Sequence, residues 1–181
     1  PQPAARSETI VFAGGCFWGV EAVFEHVKGV SSAVSGYAGG TTRSPTYGDV
    51  SSGSTGHAES VQVVFDPSQV SLEQLLEVFF TVAHDPTQRN RQGPDVGTQY
   101  RSAIYVAGNQ DEVARTVTST YQDALSARGK GEITTEIAPV PIFYFAEDYH
   151  QQYLHKVPNG YCGLKGTGVS CAIDFSSRVA Q

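Results

Sequence analysis

Residues 8–27 read Glu8-Thr9-Ile10-Val11-Phe12-Ala13-Gly14-Gly15-Cys16-Phe17-Trp18-Gly19-Val20-Glu21-Ala22-Val23-Phe24-Glu25-His26-Val27. The opening six residues form a strand-like apolar run, and two glycines end it. Behind Cys16 the period changes, and Phe17, Val20, Val23, Phe24 and Val27 fall on one side at helical spacing. The pattern predicts a strand over 8–13 and a helix over 16–27, with Cys16 in the helix's first turn. Unsatisfied N–H groups and the helix dipole there favour an anion. A thiol so placed is expected to have a lowered pKa and to be more reactive. Gly14 and Gly15 are expected to leave open space beside the sulfur. Phe17 and Trp18, the single tryptophan of the chain, set bulky apolar surface next to it. A cysteine in such a turn is also often plain buried structure, and this stretch alone leaves both readings open.

Outward from that stretch, Lys28-Gly29 supplies a cation and a glycine stop. A second strand is predicted over 30–37. A loop rich in Gly, Ser and Thr follows over 39–56 and carries Tyr47. Residues 57–65 alternate as a third strand. Ser71 and Gln74 form a capping box ahead of a second helix with Leu72, Leu75, Leu76, Phe79, Phe80 and Ala83 as its apolar stripe. A polar loop over 85–98 precedes a fourth strand over 99–106. A third helix starts near Asn109, with Val113, Val117, Tyr121, Ala124 and Leu125 on its core face. A fifth strand is predicted over 132–138 and a short helix over 147–156. The leading elements run β-α-β-β-α-β, the order of the ferredoxin-like split unit. The expected fold is an α+β, ferredoxin-like sandwich with helices on one face, added elements and a long irregular C-terminal tail. A doubly wound parallel sheet fits less well, because no helix separates strands two and three.

The 181 residues are 40% hydrophobic and 17% charged, with a formal net charge of −6. That composition reads as one globular domain over 1–181, with a polar tail at 1–7 and a mobile glycine-containing segment at 158–181. The negative balance argues against a general nucleic-acid binder, and no apolar run approaches the ~20 residues of a spanning helix. Three cysteines are too few for a disulfide-dense scaffold, and the odd count implies at least one free or exchanging thiol. Methionine is absent, which suits a protein that meets oxidants. A start at Pro1 is compatible with removal of an initiator Met and a cytoplasmic protein, or with signal-peptide removal and a bacterial periplasmic one.

Strand three sets Glu59 on the same side as Val61, Val63 and Phe65. Burial there would raise the carboxyl pKa and let Glu59 act as an acid. Alternatively Glu59 lies at a frayed strand start and points into water. In the tail, Cys162 and Cys171 are separated by a glycine-containing segment. A mobile cysteine can resolve a distant thiol derivative, and a second can take over the bond by exchange. A static Cys162–Cys171 disulfide is the alternative. A zinc site using His150 and His155 fits no familiar spacing. Tyr47, Asp95 and Tyr100 carry no independent signal, and Tyr149 and Tyr153, four apart, read as packing residues.

Several motifs together resemble the A-type peptide methionine sulfoxide reductases, from about Thr9 to Cys171. They are Gly-Cys-Phe-Trp-Gly at 15–19, Gly-Tyr-Ala-Gly-Gly at 36–40, Gly-His-Ala-Glu at 56–59 and Gly-Thr-Gln-Tyr-Arg-Ser at 97–102. Ala-Glu-Asp-Tyr-His-Gln-Gln-Tyr at 146–153 and Gly-Tyr-Cys-Gly at 160–163 complete the set. The resemblance implies Cys16 as nucleophile and Glu59 as the acid that protonates the sulfoxide oxygen. It implies Tyr47 and Tyr100 as hydroxyls bonding that oxygen, Asp95 as polar support, and Phe17 and Trp18 as the wall for the substrate S-methyl group. Cys162 and Cys171 become first and second resolving cysteines. The implied activity is reduction of free and protein-bound methionine-S-sulfoxide, as repair of oxidative damage. No cofactor is implied beyond a dithiol reductant, thioredoxin or another. The expected partners are thioredoxin and oxidised proteins, peptides or free methionine sulfoxide, acting on a monomer, with no nucleic acid or membrane. A thiol peroxidase, or a secreted binding domain with a tail disulfide, are the rivals from other classes.

Overall fold

The computed structural model describes residues 7–161; Cys162 and Cys171 lie outside them. In chain order the elements are β1 (Glu8–Gly14), α1 (Phe17–Glu25), β2 (Val30–Ala38), α2 (Tyr47–Ser51), β3 (Ala58–Phe65) and α3 (Leu72–Val78). Then come β4 (Arg91–Gln92), β5 (Asp95–Val96), β6 (Ser102–Val106), α4 (Gln110–Ala127), β7 (Glu136–Pro139), β8 (Tyr144–Phe145) and α5 (Tyr153–Lys156). Six strands form one sheet in the order β7-β6-β1-β3-β2-β8. Its central four, β6-β1-β3-β2, carry the ferredoxin-like order expected of β-α-β-β-α-β. Neighbours are antiparallel except β6 and β7.

β1 lies at the centre because its residues suit burial on both faces. Ile10 and Phe12 enter the main core with Val61, Val63 and Phe65 of β3. Onto that face pack Phe17, Val20 and Phe24 of α1, Leu75 and Leu76 of α3, and Tyr121 and Leu125 of α4. Phe12 stacks between Phe24 and Phe79, with ring centroids 4.7 and 4.8 Å away. The opposite face is small: Val11, Ala13, Ala38, Ala58, Ala103 and Tyr105, with Phe143 and Ala138 against it. The helices therefore cover one face, and the chain around 138–143 shields the other.

The predicted capping box is present, with Ser71 Oγ accepting from Gln74 N–H and Gln74 Oε1 accepting from Ser71 N–H. Other boundaries differ from expectation. α3 stops at Val78 and continues as a π-helical turn, Phe79–Ala83. The 39–56 loop holds the short helix α2, built on its own capping box from Thr46 and Asp49. The 85–98 loop holds the β4–β5 hairpin. The fourth strand begins at Ser102, because Thr98–Tyr100 forms a 3₁₀ turn. The fifth strand shifts to Glu136–Pro139, where Ala103–Val106 offers a parallel edge. The helix expected over 147–156 is helical only from Tyr153, since Gln152 sits at φ +53 and breaks it.

Candidate active site

β1 ends against α1 in the turn that carries Cys16. The helix begins at Phe17 with Cys16 as its N-cap, one position outside the first turn, and Cys16 is half-buried. Gly15 has φ +90, a conformation suited to glycine, and a Cβ there would fall 2.6 Å from Gln92 Cγ. A Cβ on Gly14 would lie 3.0 Å from the His84 ring and 3.2 Å from Phe79. The two glycines therefore admit neighbouring side chains rather than leave open space, which corrects the expectation. Gln92 is itself fixed, accepting from Asp85 N–H at 3.0 Å and donating to the Asp85 carbonyl at 2.6 Å.

β3 brings Glu59 to the same point. Its side chain is 2% exposed, so the frayed-start alternative does not hold. Glu59 Oε1 accepts from the backbone N–H of Phe17 at 3.2 Å, one residue from Cys16. Burial pushes the Glu59 carboxyl up to about 8. The Phe17 N–H works against that rise and the Asp95 charge adds to it. At neutral pH the group is thus mostly the neutral acid.

Tyr47 comes from α2 and Tyr100 from the 3₁₀ turn. Burial raises both phenols above their usual range, and the charges of Glu59 and Cys16 raise them further. Each hydroxyl therefore keeps its proton, and each lies within electrostatic reach of both groups. Asp95, in β5, accepts from the Tyr161 hydroxyl at 2.8 Å and acts on Glu59 and Tyr100 through its charge. Phe17 is buried at the ring of Tyr37, 5.7 Å between centroids. Trp18 stacks on Tyr153 at 3.9 Å.

Two residues at this site were given no catalytic or binding role from sequence. Glu147 accepts from the Tyr37 hydroxyl at 2.8 Å and from the Tyr47 backbone N–H at 3.0 Å. His150 is buried and accepts from Trp18 Nε1–H at 3.0 Å. It packs on Tyr47 with ring centroids 4.4 Å apart. The only sequence signal for either was the 146–153 motif that contains them. Tyr153 does pack, as expected, whereas Tyr149 is 58% exposed. Among the described residues no group of three or more His, Cys, Asp or Glu is arranged to hold a metal.

A thiol at the N-cap position of a helix, a mostly neutral carboxyl beside it and two protonated phenols define a thiol-dependent oxidoreductase on a ferredoxin-like sheet. The model of the family described as peptide methionine sulfoxide reductase matches residues 8–173, and the chain belongs to that family. It is 59% identical over 174 residues to the peptide methionine sulfoxide reductase MsrA of Rhodospirillum centenum, covering 96% of this chain and 78% of that one. It is 60% identical over 167 residues to MsrA 1 of Caulobacter vibrioides, covering 92% and 76%. Among solved structures, methionine sulfoxide reductase A of Corynebacterium diphtheriae matches with a TM-score of 0.83 and 49% identity, covering 96% of this chain and 84% of that one.

Proposed function

We propose that the chain reduces methionine-S-sulfoxide, free or within a polypeptide, by attack of the Cys16 thiolate on the sulfoxide sulfur. As the sulfur–oxygen bond weakens, negative charge grows on oxygen. Glu59 donates a proton to it, and the Tyr47 and Tyr100 hydroxyls bond it. The substrate sulfur gains two electrons and leaves as the thioether. Cys16 loses them and becomes a sulfenic acid. Phe17 and Trp18 wall the S-methyl group, so only one epimer presents its oxygen to the donors. Cys162 then attacks Cys16, forming a disulfide and releasing water. Cys171 exchanges onto Cys162 and returns Cys16 to the thiolate, and a dithiol of the thioredoxin type reduces the last disulfide.

The observation that carries this reading is the buried Glu59 carboxyl, anchored on Phe17 N–H beside the thiol and held near pKa 8. A peroxide bond brings its own good leaving group and needs no such acid, which sets the thiol peroxidase reading aside. The test is a reductant-free assay of a Cys162→Ser variant with each sulfoxide epimer, reading Cys16 by mass. The S form should yield one methionine per enzyme and add one oxygen to Cys16, and the R form should do neither. Oxidation by peroxide with no reaction of either sulfoxide would contradict the proposal.

A further inference from the structure

The helix α2 that carries Tyr47 has only five residues, Tyr47–Ser51. So short a helix is not stable by itself in water, and its place is set by what holds it. Val50 anchors it in the core. At its start, Glu147 Oε2 accepts from the Tyr47 backbone N–H at 3.0 Å. At its end, Gln99 Nε2–H donates to the Ser51 carbonyl at 3.3 Å. Gln99 is the middle residue of the 3₁₀ turn Thr98–Tyr100, so this donor comes from the residue directly before Tyr100. One side-chain amide thus joins the two elements that carry the site's phenols.

Gln99 is 6% exposed, and its Oε1 is buried with no hydrogen-bond partner among the described residues. A buried acceptor left unpaired is a cost that methionine, of like length, would not incur. The Ser51 carbonyl can only accept, so the NH₂ end of the amide must face it. What glutamine provides at this position is therefore the Nε2 donor. The backbone makes room for the rest of the amide: Gly97 sits at φ +142, and a Cβ there would collide with Gln99 Oε1. Ser51 lies one helical turn beyond Tyr47, on the same face of α2, so the amide braces the side of the helix that bears the phenol. We propose that Gln99 is a positioning residue, whose amide sets the spacing of the Tyr47 and Tyr100 hydroxyls about the sulfoxide oxygen. This rests on the reading of those hydroxyls as the groups that bond the oxygen. Charge grows on that oxygen only as the sulfur–oxygen bond breaks, so correct spacing acts on the chemical step more than on binding.

The test is single-turnover oxidation of Cys16 by methionine-S-sulfoxide, in a Cys162→Ser background without reductant. Gln99→Met keeps the length of the side chain and removes the donor. Gln99→Leu removes it with a different shape, should Met not be accommodated. In each the limiting rate should fall about tenfold, less than the roughly 10²–10³-fold of deleting an oxyanion donor outright. The half-saturating sulfoxide concentration should stay within about threefold. In a Tyr47→Phe background the same change should cost less than about twofold, because its effect passes through the hydroxyl already removed. A parental limiting rate in both Gln99 variants would overturn the proposal. So would an equal loss in the two backgrounds, the mark of a generally loosened fold, or a raised half-saturating concentration at the parental rate. If Y47F alone keeps the parental rate, the reading of Tyr47 falls and this proposal with it. If Y47F slows the reaction while Q99M does not, that reading stands and the role of Gln99 falls.

Discussion

Glu59 is 2% exposed and accepts one described backbone hydrogen bond. Loss of water outweighs that bond, and the carboxyl is held at about 8. Its folded value lies above the ordinary 4.5. The folded state therefore binds a proton that the unfolded chain releases between pH 4.5 and 8. Stability from this group is complete below 4.5 and is lost as pH rises through 8, by roughly 5 kcal/mol over the window. The same titration sets the chemistry. Corrected for thiolate content, single-turnover oxidation of Cys16 should slow as pH rises past about 8. Glu59→Gln should be roughly 10²–10⁴-fold slower, the worth of a general acid, and should lack that alkaline limb. An identical limb in the variant would assign it to another group. Glu59 could be read from sequence because β3 has a strict period of two. Glu147 and His150 could not, because their partners at Tyr37, Tyr47 and Trp18 lie about a hundred residues away, beyond any local period.

The turn that delivers Cys16 depends on a buried chain behind it. His84 Nδ1–H donates to the Phe79 carbonyl at 2.9 Å, closing the π-helical turn. Its Nε2 accepts from Ser102 Oγ at 2.7 Å, and Ser102 Oγ lies 2.7 Å from Thr135 Oγ1. Burial lowers His84 from 6.5 to about 4. Here the unfolded chain takes up the proton first as pH falls. Stability should drop by about 3 kcal/mol between pH 6.5 and 4 and then level off for this group. The Glu59 titration runs the other way over part of this range and is common to both proteins, so the difference is the readout. In urea unfolding, His84→Gln should gain about 3 kcal/mol relative to the parent as pH falls from 6.5 to 4, and a constant difference would refute the assignment. Gly15→Ala should cost roughly 2 kcal/mol or more, combining strain at positive φ with the clash on Gln92, as the shift of its unfolding midpoint would show. Element existence was legible here through the capping box and the apolar stripes. The π-helical turn, α2 and the β4–β5 hairpin were not: the first is closed by the His84 ring, and the others, at five residues for α2 and two for each hairpin strand, are too short to show a period.

At the scale of the whole molecule, the order of the central four strands followed from sequence because β-α-β-β-α-β is the pattern of the ferredoxin-like split unit. The fate of residues 144–153 did not. They close the site from the β2 edge of the sheet, and the pairing there is very short, Gly36 with Phe145 and Tyr37 with Tyr144. The ladder is extended by a side chain instead. Gln151 Oε1 accepts from Ser35 N–H at 2.9 Å, and its Nε2 donates to the carbonyls of Ser35 at 2.8 Å and Ala146 at 3.0 Å. Glu21, buried in α1, accepts from Ser35 Oγ and from the Gln152 backbone N–H, which anchors the next residue. His150 and Tyr153, which bond to and stack on Trp18, sit on either side of this attachment. Gln151→Ala should therefore release the segment locally without unfolding the sheet. The Ser35 amide, losing one hydrogen bond worth about 1 kcal/mol, should exchange its hydrogen roughly five- to tenfold faster. Amides shared by β1 and β3 should keep the parental rate. An unchanged Ser35 amide would mean that the β8 pairing and Glu21 suffice to hold the segment.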